Sequence, residues 1–439
     1  MKPLSAALPI SPRTRRWLIG FTCLAIALDL GKVAHRRMSF GGDFDVAREF
    51  GRRFLHGEYL YAHGLQFVYL PSTAMYFSPL ALVPSAVSFA AWFALAILCL
   101  WLTLQMWHRM VSMHHAMVTR HGFIIGLVTV FLASHFIVRD LDDGGPHTIL
   151  LAILTAGIYS AFKQWKRLGA VWLGLATAIK VTPGLFVPFL LWKREWRLAA
   201  YTALASAFWI ALPILKMGPA SWYGDMHDWA TSAVGFAIPP NTAKALGDQK
   251  VIHNQSFYAA VLYLAERSSI SPQVANGIAI VATTGIVVLF CWITRHRYTS
   301  LEDSAWPSEA SALLVLMVLL SPITWEQHLV LMVPALCLIT AEGVGPPGLG
   351  VGIWALMISF VLLSLVFTRD LLGKERYAVL LAYHVQTMSM LIVFSIALLR
   401  QPTSSAPPSW DWSGGERRTS PPSVQKNQRH NCSEKSFSE

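Results

Sequence analysis

Charge is scarce in this sequence: Asp, Glu, Lys and Arg make up only 13% of the 439 residues, against about a quarter of an ordinary soluble domain. A chain that meets water on every face is thereby excluded. Cysteine is sparser still, five residues in all, with Cys23, Cys99, Cys291 and Cys337 inside apolar runs and Cys432 near the end. No spacing of a zinc site or a disulfide framework is present. Acidic residues are outnumbered, 24 against 35 Lys and Arg, for a net charge of +11. The bases stand in short clusters beside apolar runs, where anionic headgroups attract them, so they read as membrane-flanking charge and no nucleic-acid partner is expected. A small-residue cleavage site is also missing after the basic run at 13–16, so the apolar stretch from Trp17 reads as a retained span and not as a signal peptide. Neither a repeat period of about 20 to 50 residues nor a pair of inverted halves is visible.

What the sequence has in abundance is apolar length: 54% hydrophobic residues and a mean hydropathy of +0.47. These values predict an all-α, polytopic transmembrane helical bundle of about 10–12 spans, because only helices satisfy their own backbone in hydrocarbon and a crossing takes about 20 apolar residues. Twelve segments qualify, at 17–34, 85–107, 122–138, 147–162, 168–180, 182–192, 196–215, 272–294, 309–321, 328–342, 348–367 and 378–399. Pro183 and Gly184 follow Lys180 between two short segments, which predicts half-length helices meeting near one face. The organisation expected is a cytoplasmic segment at 1–16, one transmembrane domain at 17–399 and a disordered cytoplasmic tail at 400–439, rich in Pro, Ser and Arg.

Orientation follows from Lys and Arg in short loops. Arg13, Arg15 and Arg16, then Lys163, Lys166 and Arg167, then Lys193, Arg194 and Arg197, then Arg295 and Arg297 all fall on one side under strict alternation, which makes that side cytoplasmic. The long segments 35–84 and 216–271, the Arg139-to-Asp143 stretch and the 321–327 turn then lie outside. Asp43, Asp142, Lys180, Asn254 and His328 land together on that exoplasmic face. Unrelated polar residues would divide between the two faces.

The first long loop opens with Asp43-Phe44-Asp45-Val46 at a helix start and continues through Gly57, Tyr61, Tyr69-Leu70-Pro71 and Pro79-Leu80. Asp43 or Asp45 is either a helix cap or a general base in a partly dry cleft. Lys180, at the outer end of an apolar run, either snorkels or binds an anionic group, since an ammonium at a helix centre costs about 2.5–3.5 kcal/mol. Asp29 reads as a polar contact inside the bundle. Asn254-Gln255-Ser256 reads first as a helix cap, and His328 as a satisfied imidazole or a second polar group facing the cleft of Asp43. Trp17, Trp107, Trp165, Trp192 and Trp196 read as interface anchors.

These residues resemble glycosyltransferase family 87. The resemblance rests on Asp43-Phe44-x-Val46, Gly57-x-x-x-Tyr61, Tyr69-x-Pro71 and Pro79-Leu80, then in order Lys180-x-Thr182-Pro183, Asn254-Gln255-Ser256 and Ser321-Pro322-x-x-Trp325-x-x-His328. It covers roughly residues 17–399. It implies a C-type glycosyltransferase-like bundle with exoplasmic loop helices around a cleft at the membrane surface. It further implies a mannosyltransferase-like activity: an inverting hexosyltransferase taking its sugar, mannose foremost, from a polyprenyl-phosphate donor to an exoplasmic glycan or glycolipid acceptor. Asp43 corresponds to the catalytic base, with Asp45 in reserve, and Lys180 is placed to meet the donor phosphate. Tyr61, Tyr69, Asn254, Gln255, Trp325 and His328 are the expected cleft residues. No cofactor is expected and no metal is required, although Asp43 and Asp45 form an Asp-x-Asp. The location implied is the plasma membrane, with both termini cytoplasmic. Three positions depart from the family pattern: Ala47 for a common Tyr, Gly144-Gly145-Pro146-His147 for a Gly-Gln-x-Asn element, and Gln327 for a common His. The competing reading is a secondary transporter or lipid-sugar flippase using the same polar cleft.

Overall fold

The computed structural model describes residues 42–61, 69–113, 116–237, 253–268, 270–298, 300–344 and 349–401, together with Gly20 and Gly31. Those two glycines apart, the expected first span at 17–34, including Trp17 and Asp29, lies outside the described residues, as does the tail beyond Gln401. Within them the secondary structure is helical, with no strand.

Two loop helices come first, α1 (Asp43–His56) and α2 (Pro71–Ala81). Phe44, Ala47, Phe50, Gly51 and Phe54 recur at helical spacing along one side of α1 and are buried. They pack on Ala74, Phe77 and Leu80 of α2 and on Trp92, forming a small apolar cluster of their own. Gly51 is required at the crossing, because a β-carbon there would stand 2.4 Å from the carbonyl oxygen of Phe77, and backbone cannot give way as a side chain can.

The membrane body follows as α3 (Ser85–Ser112), α4 (Ala116–Asp143), α5 (His147–Phe162), α6 (Lys166–Ile179), α7 (Phe186–Trp192) and α8 (Trp196–Ala211). After α9 (Pro219–Ala237) and α10 (Phe257–Arg267) come α11 (Pro272–Ile293), α12 (Ala305–Leu320), α13 (Val333–Val344), α14 (Val351–Val361), α15 (Lys374–Ala382) and α16 (Val385–Leu399). Among the described residues five helical stretches are long and apolar enough to cross a membrane alone: 85–112, 121–143, 196–217, 272–293 and 326–344. The pair α15 and α16, bent by 57°, makes a sixth, and four shorter apolar stretches, at 147–162, 182–192, 305–320 and 351–366, complete the body. The chain is an all-α, multi-pass membrane protein.

The break expected after Lys180 is present. A 3-10 turn, Thr182–Leu185, separates α6 from α7, and Pro183 has no N–H with which to continue the helix. The carbonyls freed at the end of α6 are taken up by the loop helix: Ser72 Oγ donates to Ala178 O at 2.6 Å and Thr73 Oγ to Ile179 O at 2.8 Å. Unsatisfied carbonyls in hydrocarbon cost several kcal/mol each, so these hydroxyls are what allow the break to sit inside the body.

Two expectations need correction. Trp107 is not an interface anchor: it is fully buried, and its indole N–H donates to Thr155 at 3.1 Å, a partner that water would otherwise supply. Trp165, Trp192 and Trp196 are exposed as anchors should be. Lys193 is not a solvated flanking charge. It is buried against Glu309 at 2.7 Å and donates to Thr294 O and His296 O, so its positive end is compensated inside the body.

Candidate active site

One end of the bundle gathers the polar residues. The C-terminal end of α6, the turn before α5 and the 321–328 turn after α12 meet α1 and α2 around a cleft of about 130 Å³. Asp43, Tyr69, Lys180, Trp325 and His328 line it, with Ala47, Pro146 and Trp229. Five of the nine expected site residues are therefore brought together from four separate stretches of chain. The cleft lining is mostly apolar with a few converging polar groups, the composition typical of small-molecule sites.

Asp43 is the first residue of α1, and its carboxylate accepts a hydrogen bond from Gln327 Nε2 at 3.3 Å. Burial raises its pKa, because the charged form loses water; the Gln327 amide and the nearby Lys180 and Arg139 pull in the opposite direction. Asp45 behaves differently. It is exposed, does not line the cleft, and reaches back to accept from the Gly42 N–H at 3.4 Å. Of the two carboxylates, Asp45 is the helix cap and Asp43 is the one facing the cavity.

Lys180 enters from the broken end of α6, half-buried, with its Nζ 3.4 Å from His147 Nε2. Tyr69 Oη approaches the same nitrogen at 3.2 Å. On its other side the His147 ring meets Asp140, Nδ1 to Oδ1 at 2.9 Å. Asp140 is fully buried and fully engaged: its Oδ2 accepts from the Thr148 N–H at 2.8 Å and from Thr148 Oγ at 2.6 Å. Gly145 also leaves no room for a side chain, since a β-carbon would fall 2.4 Å from Asp140 Oδ1. Trp92 secures this turn by donating its indole N–H to Gly144 O at 3.1 Å.

His328 faces the cleft and is satisfied at the same time. Its Nδ1 accepts from the Trp325 N–H at 3.3 Å, and its ring lies 4.2 Å from that of His147 and 6.0 Å from the Trp325 indole. Asn254 and Gln255 do not line the cleft; they hold the turn that does. Asn254 Nδ2 donates to Pro322 O at 2.9 Å, its Oδ1 accepts from the Thr324 N–H at 3.0 Å, and the Gln255 N–H donates to Thr324 O. Tyr61 likewise stands behind the wall, donating to Tyr69 O at 2.8 Å. Across the mouth, α9 contributes Trp229 and is tied to the first loop by a hydrogen bond from Tyr59 Oη to Asp228.

Asp140, His147, Gln327 and Trp229 were not anticipated as site residues. Asp142, singled out instead, pairs with Arg139 at 3.8 Å. A signal did exist for two of the four, since His147 and Gln327 are where the chain departs from the pattern it resembles. Among the described residues no group of three or more His, Cys, Asp and Glu is arranged to hold a metal ion.

The described residues thus form a multi-pass helical bundle with a carboxylate and a lysine side chain sharing a cleft at one end. The family model of glycosyltransferase family 87 matches residues 67–322, more than half of the chain. The chain belongs to glycosyltransferase family 87, and it is a membrane glycosyltransferase. Among curated proteins it is similar to the polyprenol-phosphate-mannose-dependent alpha-(1-2)-phosphatidylinositol mannoside mannosyltransferase of Mycolicibacterium smegmatis, with 27% identity over 70% of each chain. The protein of the same description in Mycobacterium tuberculosis is 25% identical over 75% of this chain and 78% of its own. A pentamannoside mannosyltransferase of Mycobacterium tuberculosis is 24% identical over 62% of this chain and 57% of its own. No solved structure matches the chain.

Proposed function

We propose that the protein transfers mannose from a polyprenyl-phosphate carrier to a glycolipid or glycan acceptor on the exoplasmic side of the plasma membrane, with inversion at the sugar carbon. The observation that carries this reading is the presence of Asp43 and Lys180 in one cleft at the level where the bundle meets its loop helices. The carboxylate of Asp43 takes the proton of the acceptor hydroxyl as that oxygen attacks the anomeric carbon. The bond from that carbon to the carrier's phosphate oxygen breaks on the opposite face, and the electron pair leaves with the lipid phosphate. Lys180 stabilises the charge that develops there, in a site where little water competes. The relatives' dependence on polyprenol-phosphate-mannose supports the donor class, and their phosphatidylinositol mannoside acceptors support a glycolipid. Clusters of Lys and Arg at the opposite end support the exoplasmic placement and cytoplasmic termini.

Purified protein in vesicles, supplied with polyprenyl-phosphate-[14C]mannose and a phosphatidylinositol mannoside, is expected to yield labelled glycolipid. Absence of product from the native protein, with donor of proven quality, overturns the reading.

A further inference from the structure

The contacts of His147 fix its protonation pattern. A carboxylate only accepts, and Asp140 Oδ1 stands 2.9 Å from Nδ1, so the ring proton resides there. In the neutral imidazole Nε2 then offers its lone pair, which Lys180 Nζ meets at 3.4 Å and Tyr69 Oη at 3.2 Å. Asp140 cannot turn away, because its other oxygen is held by the N–H and the hydroxyl of Thr148. His147 itself is absent from the lining of the cleft, while the lysine it touches is part of that lining.

The consequence is electrostatic. An ammonium held directly by a carboxylate is already neutralised, whereas one held by a neutral imidazole is fixed in position and keeps its charge for an incoming anion. We propose that His147, oriented by Asp140, is a positioning residue that aims Lys180 at the phosphate of the lipid-linked donor; this rests on the donor class proposed above.

The two amide isosteres of histidine separate positioning from a structural role. Gln at 147 carries an acceptor where Nε2 stood and can still receive the Lys180 proton. Asn at 147 reproduces the Nδ1 side, keeps the bond to Asp140, and falls short of Lys180. Positioning predicts that His147→Gln retains a KM for polyprenyl-phosphate-mannose near the native value. It also predicts that His147→Asn raises that KM, and the inhibition constant of polyprenyl monophosphate, about 10- to 100-fold, the usual worth of a charge-assisted hydrogen bond. A structural role predicts the reverse order. Asp140→Asn is a second probe: the two Thr148 donors select its amide oxygen and turn its NH2 to Nδ1. The ring proton then moves to Nε2, against Lys180, and the KM for donor should rise as in His147→Asn. In a Lys180→Met background the His147→Asn change should add no further loss, since nothing remains to be aimed.

Native protein that transfers no label sinks the proposed reaction itself. Native activity with Gln and Asn indistinguishable at 147, or with full losses adding in the Lys180→Met background, sinks the positioning role alone. Should a histidine variant fail to fold, as judged by its elution in detergent, the Asp140→Asn measurement decides: an unchanged KM for donor overturns the proposal.

Discussion

Gln327 and Asp43, 284 positions apart in sequence, meet at 3.3 Å, and that amide is the one side-chain hydrogen bond opposing the effect of burial on the Asp43 carboxyl. The relationship joins the first loop helix to the turn after α12, and the chemistry assigned to Asp43 depends on it.

Removing the Gln327 amide should move the acidic limb of the activity profile. A general base works deprotonated, so activity is lost as pH falls through the pKa of Asp43. Burial already places that value above the usual carboxylate range, and the Gln327 bond lowers it. In Gln327→Leu the limb is expected at higher pH than in the native protein, with activity at high pH less affected. A limb that stays put or moves down would refute the assignment.

Asp43→Asn and Asp45→Asn should part company. Loss of a general base costs about 10²- to 10⁴-fold in rate, and that range is expected for Asp43→Asn. Its melting temperature in detergent should not fall. A carboxyl whose folded pKa is raised contributes stability below its unfolded pKa and loses it as pH rises through the folded value, so at neutral pH the neutral amide relieves a burial cost. Asp45→Asn loses only an exposed cap, typically about 1 kcal/mol or less, and should keep most of its activity.

Thr73→Val keeps shape and removes the hydroxyl that reaches Ile179 O at 2.8 Å. Leaving a buried carbonyl unsatisfied costs about 1–3 kcal/mol. Because that carbonyl immediately precedes Lys180, both the thermal midpoint and the donor KM should be impaired, a pair of readings that calorimetry and initial rates can check.

Gly51→Ala drives a methyl group to within 2.4 Å of the Phe77 carbonyl oxygen. The loop helices α1 and α2 must then separate, which carries Asp43 away from the wall formed by α6. Activity should drop by at least about tenfold, since small displacements of reacting groups are costly, while the membrane body stays folded. Ala at the exposed Gly350, where no atom lies within 4 Å of the added carbon, is the matched control.

Much of this protein was legible before any coordinates. Apolar run lengths marked the spans: the segments expected at 147–162 and 182–192 coincide with helical stretches of those bounds. The break after Lys180 was visible in Pro183 and Gly184, because proline acts on its own chain locally. Asp43 and Lys180 could be nominated because charge is so rare here that each instance demands a reason.

The sequence by itself determined the class of solvent, the helical architecture and the short roll of polar residues, all of which follow from local composition and spacing. Only the tertiary structure decided what those residues touch. It separated Asp43 from Asp45, moved Asn254 and Gln255 from the cleft to its supports, took Trp107 and Lys193 into the interior, and brought Asp140, His147 and Gln327 to the site. The reason is physical: a hydrogen bond is set by distance and direction in space, and helices that are remote in sequence become neighbours only when their packing is complete.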